Sequence, residues 1–318
     1  GQDIDMGFAI RRIYHPSYRT NDLAGTEDFF RRVFGRYSTP RAGLIMAGIL
    51  VQPPDYPRDY CTFTPIADVF FDSIDPERYV IDGIQCYPSI SQPYLDGFGW
   101  GVDGIEEIYR EIRRRGIRCT DQKNYIVDSD ELPRASFKDS PLFWTLEDDT
   151  GIRYEFYPVT SIGKYDPRSA PEWRLPEPIP EDPLGIVRSS HHTVLTTNID
   201  RALGLIVDVL GGRVVRTERN ELIGTESHYV LLAGDILEYA VPLDAGSTSG
   251  QALARRSPLD LYYSITWQVL DLERVRAHLA ACGVRTLVED DRTILTDPAD
   301  SIGVPFGFTT ELACADVR

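Results

Sequence analysis

Two widely separated stretches of the chain follow the same pattern. One starts at His15 and the other at His192, and in each the histidine precedes a Thr-Asn pair, Thr20-Asn21 or Thr197-Asn198, by the same interval. A strand-like segment carries the histidine, and apolar residues at helical spacing follow the Thr-Asn pair. An internal repeat constrains the architecture more strongly than any single motif, because each copy must adopt the same local structure.

A second pair of repeated stretches lies downstream of the first. Trp100-Gly101-Val102-Asp103 precedes Gly116 by the same interval at which Trp267-Gln268-Val269-Leu270 precedes Gly283. The chain therefore divides into four units, each a strand, a helix and further strands, arranged in two halves. We predict an α+β fold in which the two units of each half curl a mixed sheet around a cavity, with the helices outside.

A proline-rich stretch separates the two halves. Residues 158–183 contain seven of the 22 prolines and show no regular periodicity. Because proline fixes φ, we expect a stiff linker here. The predicted domains are residues 1–157 and 186–318, joined by a linker over 158–185.

The composition excludes some classes of partner. The 318-residue chain has a formal net charge of −16, which disfavours nucleic acids and anionic membranes. No apolar run approaches the ~18 residues of a membrane span, and the first residues do not resemble a signal peptide. Five cysteines without a C-x-x-C pair indicate reduced thiols. We expect a cytoplasmic protein that binds a small molecule, and homodimer formation stays open.

Acidic residues near the ends of the last strands are candidate functional groups. Asp72 lies near the end of unit one, Glu155 ends unit two and Glu238 ends unit three, whereas unit four has Gly307. An imidazole with one or two carboxylates on adjacent strands can hold a divalent metal that keeps open coordination positions. A carboxylate in this place can instead act as a general base.

These residues resemble the pattern of the vicinal oxygen chelate superfamily, which includes glyoxalase I, extradiol ring-cleaving dioxygenases, methylmalonyl-CoA epimerase and bleomycin-resistance proteins. The resemblance rests on His15 with Thr20-Asn21-Asp22, on His192 with Asn198-Ile199-Asp200, and on the ending Asp148…Gly151…Glu155. It implies βαβββ modules and a metal bound inside a curled sheet. Two oxygens of the substrate would complete the coordination of the metal.

The resemblance also implies a ligand set. If modules one and two pair, the metal ligands fall on His15, Asp72 and Glu155. His192 and Glu238 hold the equivalent positions in module three, and pairing of modules two and three would instead gather Glu155, His192 and Glu238. The metal is a divalent ion, and the sequence does not distinguish Fe, Mn, Zn, Ni and Co.

The sequence departs from the family pattern in two places. A second histidine is often found on the first strand of module two, where this chain has Gly97. Module four has Ser264 or Ile265 at that place, and Gly307 replaces the terminal glutamate. The set of two histidines and one carboxylate that ring-cleaving dioxygenases use is therefore not visible in either half.

Aromatic residues on the predicted strands of the first half can line an apolar pocket, although such residues also form ordinary cores. They are Phe98, Trp100, Trp144 and Tyr154. His228 can enter a cavity from a strand of the second half. His191 should face the opposite side of the sheet from His192, because side chains alternate along a strand.

The sequence favours a divalent-metal-dependent enzyme with isomerase, lyase or epimerase chemistry on a small oxygen-bearing substrate, which includes aromatic ones. His15 and Glu155 are the expected catalytic residues, and no nucleotide cofactor is expected. The first alternative is an Fe(II) ring-cleaving dioxygenase, because four modules in two halves are typical of those enzymes. The second is a metal-free protein that sequesters an apolar ligand, as the bleomycin-resistance proteins do.

Overall fold

The computed structural model describes residues 6–136, 140–163 and 165–318. The chain has a mixed α+β structure that is dominated by one hydrogen-bonded sheet of 16 strands, with a separate two-stranded ribbon. The predicted α+β class is therefore confirmed. No helix in these ranges is long and apolar enough to cross a membrane, and all five cysteines are free thiols.

Among its described residues, the first half contains ten strands and four α-helices. The strands are β1 Ala9–Arg19, β2 Thr39–Pro40, β3 Cys61–Ile66, β4 Val69–Ile74, β5 Val80–Ile81, β6 Ile84–Gln85, β7 Tyr94–Asp103, β8 Cys119–Thr120, β9 Phe143–Thr145 and β10 Arg153–Pro158. The helices are α1 Leu23–Phe29, α2 Arg41–Met46, α3 Ile105–Arg114 and α4 Glu147–Thr150.

The second half follows a similar order, with eight strands and three α-helices. The strands are β11 Ile186–Leu195, β12 Arg213–Asn220, β13 Thr225–Leu232, β14 Asp235–Pro242, β15 Leu261–Val269, β16 Thr286–Glu289, β17 Thr293–Thr296 and β18 Gly307–Thr309. The helices are α5 Ile199–Leu203, α6 Thr248–Ala254 and α7 Leu272–Ala281.

The long first strands of the modules lie at the centre of each half. In the first half the strand order is β2-β3-β4-β1-β7-β10-β9-β8, and in the second it is β12-β13-β14-β11-β15-β18-β17-β16. The central pairs, β1–β7 and β11–β15, are antiparallel, and β4, β10, β14 and β18 flank them in parallel. The strands assigned to modules one and two are therefore neighbours in the sheet, as are those assigned to modules three and four, and the carboxylates of β4 and β10 lie on either side of β1 and β7.

The two first helices start from equivalent capped turns. The Thr20 hydroxyl accepts a hydrogen bond from the Asp22 amide at 3.0 Å, and the Thr196 hydroxyl accepts one from the Asn198 amide at 2.9 Å. The Asp22 and Asn198 side chains then cap their helices by accepting from amides three residues on. Thr20 is therefore structurally equivalent to Thr196. The Thr-Asn match in the sequence instead aligned Thr20 with Thr197, one residue later.

Both first helices also continue into a π-helical turn, Phe30–Phe34 after α1 and Gly204–Val209 after α5. The Phe30–Phe34 turn packs against the second half. The Phe34 ring centroid lies 5.3 Å from that of Trp267 and 5.3 Å from that of Phe306. One buried apolar cluster accordingly contains residues of both halves.

The proline-rich stretch packs against the first half. Arg168 donates hydrogen bonds to the Ile13 and Asp68 carbonyls at 2.9 and 3.0 Å. The Tyr165 hydroxyl lies 2.6 Å from the Tyr14 hydroxyl. These contacts make the linker part of the first half's wall, while the exact domain limits stay a prediction.

Candidate metal centre

Three strands of the first half bring an imidazole and two carboxylates together. His15 Nε2 on β1 lies 3.7 Å from Asp72 Oδ2 on β4 and 3.6 Å from Glu155 Oε2 on β10. The side chains of His15, Asp72 and Glu155 are only 4%, 10% and 13% exposed. These are the three residues that the family resemblance implies when modules one and two pair.

The other side of the His15 ring fixes its orientation. His15 Nδ1 lies 3.3 Å from the Pro16 carbonyl oxygen and 3.2 Å from the Ser17 hydroxyl. Because a carbonyl oxygen can only accept, a proton on Nδ1 satisfies this contact and leaves the Nε2 lone pair directed at the carboxylates. Partners of this kind commonly fix the tautomer of metal-binding histidines.

Burial shifts the pKa of all three groups toward their neutral forms. It lowers the pKa of His15 to about 4 and raises the pKa of Asp72 to about 7, an effect that the positive charge of Arg41 opposes. The pKa of Glu155 rises to about 8 through burial and through the nearby negative charge of Asp72, and Arg153 opposes it. Desolvated carboxylates need a positive charge nearby, and a divalent cation supplies it.

The donor set fits a divalent metal. Asp72 Oδ1 is buried and has no hydrogen-bond partner among the described residues. Two ligands held at about 2.1 Å from a metal, 109–120° apart, are separated by about 3.4–3.6 Å, close to the spacing seen here. Among the described residues, however, no group of three His, Cys, Asp or Glu side chains, this trio included, is arranged closely enough to hold a metal ion as it stands.

The strand β7 also faces His15, but it contributes no side chain there. Gly99 on β7 is paired with His15 in the sheet, and a Cβ on Gly99 would lie 3.1 Å from His15 Nε2. This position was predicted at Gly97, but a Cβ there would lie 1.8 Å from the Arg153 carbonyl oxygen. The equivalent position in the second half is Thr266 rather than Ser264 or Ile265, because Thr266 pairs with His191.

A small cavity of about 60 Å³ adjoins the trio, and its wall is rich in tyrosine. Seven of its lining residues are tyrosines: Tyr14, Tyr56, Tyr60, Tyr79, Tyr87, Tyr157 and Tyr165. Gln122 donates hydrogen bonds to the Tyr56 and Tyr79 hydroxyls at 2.9 and 3.0 Å. The guanidinium of Arg41, also in the wall, lies 5.1 Å from the centroid of the Tyr60 ring.

The aromatic residues that the sequence suggested for the pocket are mostly elsewhere. Trp144 does line the cavity, but Phe98, Trp100 and Tyr154 are fully buried in the core on the other side of the sheet. The reason is strand alternation on β7, where glycine faces His15 and the intervening aromatic residues face the second half. Phe98, for example, lies 4.3 Å from Tyr262 between ring centroids.

The second half holds a related but different arrangement. His191, not His192, faces Glu238, with 3.7 Å between His191 Nε2 and Glu238 Oε1. The Glu238 carboxylate accepts four hydrogen bonds, which leave it little capacity to bind a metal. The donors are Thr193, Asn220, Ser227 and Tyr229, at 2.7, 2.9, 2.6 and 3.2 Å.

Neither His192 nor His228 lines the small tyrosine-rich cavity. His192 Nδ1 lies 2.6 Å from the Tyr262 hydroxyl, and its ring packs on Phe98 between the two halves. His228 is partly exposed on β13, with Nδ1 3.4 Å from the Thr217 hydroxyl. The structure therefore does not bring His192 together with Glu238 or with Glu155.

Sequence reasoning missed the tyrosines and Arg41. Their only signal was abundance, because the chain has 17 tyrosines and several of those in the wall fall between residues 56 and 87. The tyrosines of that stretch lie in the connections between its strands, so no periodicity showed which way their side chains point. Tyr165 was missed because the linker was not expected to reach the site.

No family model matches the chain, and no curated protein matches it. Solved structures do. The 2,3-dioxygenase LapB from Pseudomonas sp. KL28 superposes with a TM-score of 0.59 at 13% identity, over 98% of this chain and 96% of that one. The Mn(II)-bound glyoxalase from Novosphingobium aromaticivorans gives a TM-score of 0.59 at 10% identity, over 96% of this chain and 83% of the other.

A shorter match is with the methylmalonyl-CoA epimerase from Mycobacterium tuberculosis, at 21% identity and a TM-score of 0.36, over 40% of this chain and 89% of the epimerase. The two full-length matches establish the fold. The chain shares the fold of this dioxygenase and this glyoxalase, which is the fold that the resemblance drawn from its sequence implies.

Proposed function

We propose that the protein is a divalent-metal-dependent enzyme of the vicinal oxygen chelate type, with its active site in the first half. The observation that carries the proposal is that carboxylate oxygens of Asp72 and Glu155 both lie within 3.7 Å of His15 Nε2 in a buried site. Metals held by one imidazole and carboxylates act as Lewis acids that polarise a carbonyl or hydroxyl oxygen of a substrate.

The chain's own residues supply the remaining parts of this chemistry. His15 Nε2 and the carboxylates of Asp72 and Glu155 would hold the metal, and Gly99 keeps space beside His15 for a substrate oxygen. If Glu155 did not ligate the metal, its carboxyl group, whose pKa burial raises to about 8, could instead accept or return a proton near neutral pH at Oε2. The tyrosine hydroxyls in the wall can donate hydrogen bonds to substrate oxygens.

This donor set favours isomerase, lyase or epimerase chemistry over oxygen activation. Fe(II) oxygenases commonly use two imidazoles and one carboxylate, and Gly99 stands where the second imidazole would have to lie. Ring-cleaving dioxygenase activity is the alternative within the enzyme class, and iron-dependent oxygen uptake with catechols would support it.

One observation favours the metal-free alternative. Because burial raises the pKa of Asp72 to about 7 and of Glu155 to about 8, both carboxyls could be protonated and uncharged near neutral pH. A cavity of this kind could sequester a ligand without a metal.

Metal analysis of purified protein separates these functions. After reconstitution with Mn²⁺ and removal of excess ion, we expect about one equivalent in the wild type and much less in His15→Ala and Glu155→Ala. His191→Ala is the matched control, because it removes the equivalent histidine of the second half, and it should retain the metal. Equal metal content in all four proteins would reject the proposed site.

A further inference from the structure

A large polar cleft lies between the two halves, beside the candidate metal centre. Its volume is about 820 Å³, against about 60 Å³ for the tyrosine-lined cavity. At roughly 10–15 Å³ per water molecule on this measure, the cavity has room for about four to six water-sized groups. A larger substrate therefore needs the adjoining space.

Four arginines line this cleft, in a chain whose net charge is −16. Arg19 and Arg153 come from the first half, and Arg255 and Arg256 from the segment before β15. Asp96 Oδ2 lies 2.9 Å from Arg19 Nη2 and 4.0 Å from Arg153 Nη1. Glu147 Oε2 lies 3.8 Å from Arg256 Nη2. Four positive charges against these two carboxylates leave an excess of two.

Arg153 is the residue best placed to bind a ligand. Its side chain is only 6% exposed, and Nη2 is buried with no hydrogen-bond partner among the described residues. Its guanidinium carbon lies over the rings of Tyr87 and Trp144, at 4.9 and 4.7 Å from their centroids. A buried guanidinium nitrogen without an acceptor is costly, and an oxyanion would satisfy it.

The strand geometry connects Arg153 to the metal centre. Arg153 and Glu155 are two residues apart on β10, so they face the same side of the sheet at a separation of roughly 7 Å along the strand. Tyr87 and Trp144, against which Arg153 packs, also line the small cavity. The cleft and the cavity therefore share a wall.

We propose that the cleft binds an oxyanion, a carboxylate or phosphate group, at Arg153, with Arg19, Arg255 and Arg256 around it. An anion held there would lie next to the small cavity, and we assign it to the substrate of the metal centre, which would then be an anionic compound. The anion site stands on its own residues, whereas its assignment to the substrate rests on the proposed function.

The test uses the full chain stripped of metal, so that anion binding is measured apart from metal binding. Isothermal titration with inorganic phosphate in one arm and malonate in the other should show saturable binding of at least one anion. The tighter of the two identifies the group. Arg153→Gln should weaken binding by on the order of tenfold or more, since charge-assisted hydrogen bonds are lost.

A second variant guards against a folding defect in Arg153→Gln. The double variant Arg255→Gln/Arg256→Gln changes side chains at the rim of the cleft and should also weaken binding. Arg213→Gln, an exposed arginine on β12, is the charge-matched control and should bind as the wild type does. His15→Ala should lose metal and keep its anion affinity.

Two results would overturn the anion site: no saturable binding of either anion, or affinities that are unchanged in both arginine variants. Neither result would bear on the metal centre, which the metal content of His15→Ala tests separately. Conversely, saturable anion binding with unchanged metal content in His15→Ala would remove the metal centre and leave the anion site intact.

Discussion

At the scale of single residues, the space beside His15 depends on the absence of a side chain at Gly99. A Cβ on this residue would lie 3.1 Å from His15 Nε2, which is tighter than ordinary van der Waals contact. Gly99 has no positive φ, unlike Gly104, which lies in the turn between β7 and α3. Its role is therefore to leave room rather than to allow an unusual backbone.

We expect Gly99→Ala to weaken metal binding by on the order of tenfold, the lower end of what changes around metal ligands cost. The variant should fold, because the displaced atoms belong to a side chain. Gly101→Ala on the same strand is the control, since its Cβ would meet Ile162 at 3.2 Å instead of His15. Equal Mn²⁺ affinities in a direct titration would show that the space beside His15 is unimportant.

The family resemblance implied that His15, Asp72 and Glu155 would lie close together if modules one and two pair, because it places ligands on the first and last strands of paired modules. The second-half histidine was assigned wrongly for a local reason. Thr197-Asn198 matches Thr20-Asn21 in letters, but Thr196 performs the capping role of Thr20. A slip of one residue exchanges the two faces of a strand, so His191 takes the position that was assigned to His192.

At the scale of strands and helices, the junction between β7 and β10 has no room for a side chain at Gly97. A Cβ there would lie 1.8 Å from the Arg153 carbonyl oxygen. The parallel pairing of these strands positions both Arg153 and Glu155. The junction therefore supports the metal centre and the anion cleft together.

Gly97→Ala should lower the free energy of unfolding by ~1–3 kcal/mol or more, as overpacked sites do. Gly204→Ala, where a Cβ would meet nothing within 4 Å, should be neutral or stabilise the helix by up to ~1 kcal/mol. Urea unfolding of the two variants measures the difference. A Gly97→Ala protein as stable as the wild type would mean that the two strands are not closely paired.

His192 makes the packing between the halves sensitive to acid. Burial lowers the pKa of His192 to about 3 from 6.5. Above pH 6.5 the residue is neutral in both states, and below it the unfolded chain takes up a proton that the folded chain does not. At roughly 1.4 kcal/mol per pH unit, this group costs ~2 kcal/mol of stability between pH 6.5 and 5.

His192→Gln should therefore be less stable than the wild type at pH 7.5 but lose less stability on acidification. His228→Gln, on a partly exposed strand position, serves as the control and should show the wild-type slope. Unfolding free energies measured from pH 5 to 7.5 provide the comparison. Parallel curves for His192→Gln and the wild type would contradict burial of a neutral His192.

At the scale of the whole molecule, the two halves share a core. The first helix of one half packs its Phe34 ring on Trp267 and Phe306 of the other, and the Tyr154 hydroxyl lies 2.7 Å from the Tyr239 hydroxyl across the same boundary. The sequence predicted four repeated units, but not this packing, because contacts between halves leave no periodic signal. The aromatic residues assigned to a pocket are largely this shared core.

Phe306→Ala should therefore destabilise both halves, by ~3–5 kcal/mol in total, as truncation of a buried aromatic side chain does. Hydrogen exchange resolved by segment should report faster exchange in α1 as well as in β15. Faster exchange confined to the second half would show that the halves are energetically independent.

The most direct test of the metal centre is X-ray absorption spectroscopy of the Mn²⁺-loaded protein, which counts imidazole ligands. The structure predicts one imidazole with oxygen ligands at about 2.0–2.2 Å, and loss of the imidazole signal in His15→Ala but not in His191→Ala. Two or more imidazoles, or a spectrum that His15→Ala leaves unchanged, would contradict the assignment of the site.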